Sequence, residues 1–275
     1  MEYRHRVGQV RVAFIFQAGS FWPSWESVWE SIKQDSRFEA CLFLVPWSEE
    51  AGDKDQMEHG EEFLCEKSIS YEIFTHEAVS AFAPHWLLYQ TPYERWHRLP
   101  EAWSASYRLA GSRIAYIPYG IEISDTPESR NMHFAQPLVR NAQAIFVMSE
   151  TMREEYLKYC LNPDAVQVTG LPRFDALQRE FPLHEGLETR IAGRKVVLWK
   201  AHFPKEFQED GKTKTATPDL EEYLAFVEYV RQHEDLFFIF LPHPKFVGKS
   251  VPTRLRAIAR RLLNTLGNLS NVYID

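Results

Sequence analysis

The feature that most constrains this chain is a repeating rhythm. A short apolar run of strand length breaks at Gly, Pro or Ser, and a stretch with helical spacing follows. Val10–Phe16 opens the series and ends at Gln17-Ala18-Gly19-Ser20. Trp25, Val28, Trp29 and Ile32 then recur at helical intervals, and Ala40–Pro46 reads as a second buried strand. Strand, helix, strand in that order predicts a parallel pair joined by a right-handed crossover. The pattern repeats at His85–Tyr89, Ile114–Ile117, Ala144–Met148 and Val166–Thr169. After Ala144–Met148, Ser149 or Thr151 is placed to cap a helix over Met152–Tyr159. Residues 51–67 are polar, a surface loop or helix with no legible chemistry. The fold class is therefore α/β, with doubly wound Rossmann-like units.

At about 150 residues per domain, 275 residues suggest two domains. Residues 1–180 complete the first series, and 181–194, with Pro182, Gly186 and Gly193, have the composition of a linker. Residues 195–275 open a second series: strand Lys195–Trp199, a polar loop, helix Leu220–Arg231, strand Leu236–Leu241, helix Thr253–Leu266 and strand Val272–Ile274. That is half of a nucleotide-binding fold, so the second domain is expected to be incomplete.

Charge and motif content exclude several functions. Lys+Arg 31 against Asp+Glu 38 gives a net charge of -7, which argues against a nucleic-acid partner held by a basic footprint. The basic lead before Phe16 is followed by an apolar stretch too short for an export signal or membrane span. Cys41, Cys65 and Cys160 show no ligand spacing and read as reduced thiols, which points to the cytoplasm. The chain lacks the glycine fingerprints of dinucleotide and phosphate loops, and it lacks GxSxG and HExxH. No cofactor and no metal are expected.

Ligands of open parallel sheets bind beyond the carboxyl ends of strands, so the loops there carry the candidates. On the first domain these are Gly19, Gln90, Tyr119, Gly120, Glu150 and Arg173; on the second, Lys200, His202, His243 and Lys245. His243 stands between Pro242 and Pro244 directly after an apolar strand. A rigid imidazole there can donate to phosphate oxygens or move a proton; the plainer alternative is a His that satisfies turn carbonyls. His202 shares that edge or fills space beside Phe203. Lys200 and Lys245 can neutralise a diphosphate or simply face water. Gly19 and Gly120 permit tight turns or close approach of a substrate. Arg173 either pairs with Asp175 in a hinge or reaches a phosphate. The helix carrying Arg254, Arg256, Arg260 and Arg261 presents a basic face, an ordinary solvated helix or a contact for an anionic surface.

Taken in order, YQTPY (Tyr89–Tyr93), IPYG (Ile117–Gly120), AIFVMSE (Ala144–Glu150), VTGLPRFD (Val168–Asp175), VLWKAHF and LPHP (Leu241–Pro244) resemble the CDP-glycerol glycerophosphotransferase-like proteins of teichoic-acid and capsule synthesis. The resemblance spans roughly residues 10–275. It implies a GT-B-like fold, with an N-terminal acceptor-side domain and a C-terminal nucleotide-donor domain facing a cleft. The implied activity is transfer of glycerol phosphate from a CDP-activated donor to a hydroxyl of a polymer or lipid-linked acceptor, with peripheral membrane contact at the inner face. His243 matches the family's His-Pro motif, implicated in catalysis and the donor diphosphate. Tyr119 stands where the family has a catalytic His, so Tyr119, His202 or a carboxylate is the candidate base. The family's downstream Ser-Ser donor loop is absent from these residues, and low turnover by residues 1–275 is the expectation. A nucleotide-sugar glycosyltransferase and a non-catalytic GT-B-like binding module are the alternatives.

Overall fold

The computed structural model describes residues 8–48, 55–122, 125–180, 182–209, 211–216, 219–243, 245–248 and 251–275. The basic lead before Gly8, residues 51–54, Phe181 and Pro244 of the LPHP motif lie outside the described residues. The chain divides into two compact units, the first ending at Glu180 and the second starting at Phe181.

The first unit runs β1 (Val10–Phe16), α1 (Glu26–Gln34), β2 (Phe38–Leu44), α2 (Asp55–Glu66), β3 (Glu72–Ile73), α3 (His76–Phe82) and β4 (Trp86–Tyr89). It continues through α4 (Glu94–His97), α5 (Ser104–Leu109), β5 (Arg113–Tyr116), α6 (Pro127–His133), α7 (Pro137–Asn141), β6 (Ala144–Val147), α8 (Glu150–Leu157) and β7 (Val166–Val168). Its seven strands form one sheet in the order β3-β2-β1-β4-β5-β6-β7. All pairings are parallel, β1 lying between β2 and β4. The order reverses between β1 and β4, and that is the switch point of a doubly wound sheet.

Side chains alternate across a strand, so β1 feeds two cores. Ala13 and Ile15 join Phe43, Leu87, Tyr89, Ile114 and Ile145 on one face. Val12, Phe14 and Phe16 join Leu42, Leu44, Trp22, Trp25 and Trp29 on the other. Burial on both faces is why these strands read as nearly continuous apolar runs. Several starts and stops are written locally as well. Thr75 caps α3 by accepting from the Ala78 N–H at 3.0 Å, and Ser149 caps α8 by accepting from Met152 at 3.3 Å.

The second unit holds α9 (Leu187–Ile191), β8 (Lys195–Ala201), β9 (Lys205–Glu209), β10 (Lys212–Ala216), α10 (Leu220–Gln232), β11 (Leu236–Pro242), α11 (Thr253–Gly267) and β12 (Val272–Ile274). β8, β11 and β12 form a parallel sheet in the order β12-β11-β8, so β8 is an edge. The stretch expected as a polar loop is instead an antiparallel hairpin of β9 and β10. Its Lys-Thr-Lys-Thr alternation has the two-residue period of a strand but no apolar face to announce it, and Gly211 takes the left-handed turn conformation at φ +69. Residues 182–194, read from composition as a linker, contain α9. Leu187 there is buried, Arg190 lies over the Phe237 and Tyr273 rings, and Arg194 lies over Phe237. α10 and α11 pack Leu220, Val227, Val230, Leu255, Ala259, Leu262 and Leu266 against Phe238, Phe240 and Val272.

The fold is α/β, each unit built on a parallel sheet. Among the described residues no helix is long and apolar enough to cross a membrane.

Candidate functional site

In the second unit the structure brings together the four residues that sequence reasoning singled out there. β8 and β11 are neighbours in register, Lys200 opposite Leu241 and Ala201 opposite Pro242, so their following loops leave the sheet side by side. The His243 backbone N–H donates to the Ala201 carbonyl at 2.8 Å and ties the two loops together. The His202 and His243 rings lie 5.2 Å apart, and the Phe203 ring sits 4.2 Å from the first and 4.8 Å from the second.

The two imidazoles have opposite hydrogen placements. The Lys245 backbone N–H donates to His243 Nδ1 at 3.0 Å. That nitrogen therefore carries a lone pair, and in the neutral ring the hydrogen sits on Nε2. His202 Nδ1 lies 2.9 Å from the Phe203 carbonyl, which only accepts, so Nδ1 bears the hydrogen and Nε2 the lone pair. One ring is set as a donor and its neighbour as an acceptor. Lys200 is exposed near the end of β8, and Lys245 is half-buried beside His243.

In the first unit the carboxyl edge at the switch point is stitched by two buried glutamines. Gln17 donates to the His97 carbonyl at 2.9 Å, and Gln90 donates to the Phe21 carbonyl at 2.9 Å and to Ser24 Oγ at 3.2 Å. Gln90 thus holds the loop after β1 to the loop after β4. At Gly19 the close approach is to protein: an added Cβ would lie 2.5 Å from the Phe63 ring. Gly120 makes neither demand, since a Cβ there would meet nothing within 4 Å. Arg173 donates to the Tyr119 carbonyl at 2.9 Å and so pins the loop after β5. Asp175, expected as its partner, accepts from Ser27 Oγ instead. Glu150 occupies the first turn of α8, with Arg153 NH1 3.5 Å away, where an acidic side chain complements the helix dipole.

Around Tyr119 the structure assembles groups that the sequence did not mark. The Phe21 ring lies 4.7 Å from the Tyr119 ring. Tyr93 Oη is 3.3 Å from Tyr119 Oη and 2.8 Å from His133 Nδ1, and the same nitrogen is 2.8 Å from Glu122 Oε1. Burial pushes the Tyr119 hydroxyl above the usual phenol range. At neutral pH the hydroxyl therefore keeps its proton. Tyr93 was legible as part of YQTPY, but nothing in the spacing of Glu122 and His133 tied them to it.

A hollow of ≈ 960 Å³ lies at the opposite, amino edge of this sheet, lined by Arg11, His85, Trp86, Tyr107 and Arg113 among others. Sheet topology favours the carboxyl edge for ligands, and there the rings and hydroxyls converge. Among the described residues no group of three or more His, Cys, Asp or Glu could hold a metal ion.

No protein-family model and no curated protein matches the chain. Solved structures do. Staphylococcus aureus MnaA in complex with UDP superposes with a TM-score of 0.65 at 13% identity, covering 97% of this chain and 68% of that one. A UDP-GlcNAc 2-epimerase from Neisseria meningitidis, bound to UDP-GlcNAc, gives 0.59 at 13% identity, covering 97% and 71%. Anabaena HepE, in complex with UDP and glucose, gives 0.54 at 12% identity, covering 97% and 69%. This chain is similar to them in fold. At such identities the likeness establishes the GT-B-like architecture and leaves the chemistry to the residues.

Proposed function

We propose that this protein binds a nucleoside-diphosphate-activated donor and acts on the group it carries. The observation that carries this reading is the His202–His243 pair on adjacent strand ends of the second unit, with one ring set to donate and the other to accept. His243 Nε2–H is suited to a diphosphate oxygen and stabilises that group as it leaves. His202 Nε2 is suited to take a proton from a hydroxyl: the O–H bond breaks, an N–H bond forms, and the oxygen keeps the electron pair for attack. Lys200 and Lys245 add positive charge near the same edge. Support comes from three solved neighbours that hold UDP or a UDP-sugar.

Two donor chemistries fit. The motif resemblance favours CDP-glycerol and transfer of glycerol phosphate to a polymer hydroxyl. The fold likeness favours a UDP-sugar, used by a glycosyltransferase or an epimerase. Calorimetric titration of the 275-residue chain with CDP, CDP-glycerol, UDP, UDP-GlcNAc and UDP-glucose separates them. Preference for CDP-glycerol with glycerol-phosphate transfer to a primer supports the first, and preference for a UDP-sugar supports the second. Failure to bind any of the five would defeat the nucleotide reading.

A further inference from the structure

We propose that the hollow at the amino edge of the first unit's sheet binds a small organic oxyanion, a phosphate or carboxylate carried on an apolar body. The inference goes beyond the nucleotide-donor reading and does not depend on it.

The hollow is built from strand starts and helix ends. The His85 N–H donates to the Arg11 carbonyl and the Arg113 N–H to the His85 carbonyl, each at 2.9 Å, which brings the first residues of β1, β4 and β5 to one level. The loops that close α3 and α5 wall the space, and its volume of ≈ 960 Å³ is that of a small-molecule site.

Charge selects the ligand. The chain carries a net charge of -7, yet the described residues that line the hollow include Arg11 and Arg113 and no Asp or Glu. Arg11 is half-buried, and its Nε donates to the Ala83 carbonyl at 2.7 Å. That bond fixes the side chain and leaves its two terminal nitrogens without a carboxylate among the described residues. The Arg113 guanidinium lies 5.4 Å from the centre of the Trp86 ring and has no carboxylate partner there either. The carbonyl ends of α3 and α5 oppose an anion with roughly half a charge each, so two full guanidinium charges outweigh them. Two of these carbonyls are also occupied: Ala83 by Arg11 and Pro84 by Ser112 Oγ at 2.8 Å. Arginine is the side chain best shaped for the paired oxygens of a phosphate or carboxylate.

A second observation points to a missing partner. Tyr107 lines the hollow and is 3% exposed, and its buried hydroxyl has no hydrogen-bond partner. Burial pushes that hydroxyl upward, so it holds its proton as a donor at neutral pH. An unsatisfied buried donor costs stability until an acceptor arrives, and a bound oxyanion is one. Val79, Pro84 and Trp86 on the same walls supply the apolar surface for the ligand's body.

The test titrates the full chain with phenyl phosphate, inorganic phosphate and benzyl alcohol by calorimetry. Phenyl phosphate is expected to bind at least about tenfold more tightly than the other two, which lack the ring or the charge. Arg11→Gln should weaken phenyl phosphate about tenfold, and the exposed Arg113→Gln a few-fold. Tyr107→Phe should weaken it several-fold while leaving the thermal midpoint of the free protein unchanged, because the hydroxyl removed has no partner there. His243→Ala, in the second unit, should bind phenyl phosphate like the wild type. No saturable binding of phenyl phosphate, or equal binding of benzyl alcohol, would overturn the proposal. So would folded Arg113→Gln and Tyr107→Phe variants that both match the wild type, or a loss confined to His243→Ala, which would move the phosphate to the second unit.

Discussion

In the first unit β1 sends Ala13 and Ile15 into one core and Val12, Phe14 and Phe16 into another, none more than 3% exposed. In the second, β8 sends Val197, Trp199 and Ala201 towards a core, while Val196 and Leu198 on its other face remain 44% and 68% exposed. Both strands are seven residues long and mostly apolar, broken only by Arg11 in β1 and by Lys195 and Lys200 in β8. β1 lies inside its sheet with helical layers over both faces; β8 is an edge covered on one. The difference teaches that an apolar run gains burial only where the fold supplies a cover, and position in the sheet order decides that.

Substitutions should break or sharpen this contrast. The largest effect is expected at Phe14, fully buried with its ring edge-to-face with Trp25 and Trp29 at 5.1 Å each. Phe14→Ala should cost about 3–5 kcal/mol of stability. Urea unfolding followed by tryptophan fluorescence measures it, and a loss below about 1 kcal/mol would show a loosely packed cluster.

In the second unit the expected loss is in binding rather than folding. His243→Ala should weaken nucleotide binding by about 1.5–3 kcal/mol, the loss of a charge-assisted hydrogen bond, with unfolding nearly unchanged. Equal affinity of variant and wild type for UDP and for CDP would remove His243 from the site.

A subtler contrast lies in buried charge, which the first unit tolerates at Glu94 and Arg98, 1% and 2% exposed. Burial raises the Glu94 carboxyl above its ordinary value, with the nearby Arg98 charge and the Ser104 N–H opposing. A raised carboxyl contributes stability that is complete below the unfolded value, about 4.3, and is lost as pH rises through the folded one. The stability of wild type relative to Glu94→Gln should therefore fall as pH climbs through that interval. A pH-independent difference would show that Glu94 is ionised and satisfied. The smallest effect belongs to β8: Leu198→Ser should change stability by no more than about 0.5 kcal/mol, because the side chain leaves little burial to lose. A clear destabilisation in thermal melts would mean that this face is covered in solution.

The course of the chain was legible to a useful depth. Val10–Phe16 and Val272–Ile274 fall where the apolar pattern put them, and Leu236–Pro242 and Thr253–Gly267 end within a residue of expectation. Period and capping are local signals, and Ser149 does cap the helix after Val147. The β9–β10 hairpin was missed because its residues are mostly polar, with Phe207 the one large apolar residue, and β3 because two residues carry no period. Among site residues, His202 and His243 could be paired on paper, since each ends a strand of one small parallel unit.

The sequence by itself determined the α/β rhythm, the strand ends where ligand-bearing loops begin, and a proline-flanked His after β11, because these depend on neighbours a few residues apart. Only the tertiary structure decided which nitrogen of His202 and of His243 carries its hydrogen, and that Tyr93, Glu122 and His133 gather beside Tyr119. Tyr93 and His133 are forty positions apart in the chain and 2.8 Å apart in space. Their contact is set by where β4 and α6 end around a shared sheet, and hydrogen placement follows from the partners found there. No local pattern encodes such a meeting, because it depends on the packing of elements whose sequences do not refer to one another.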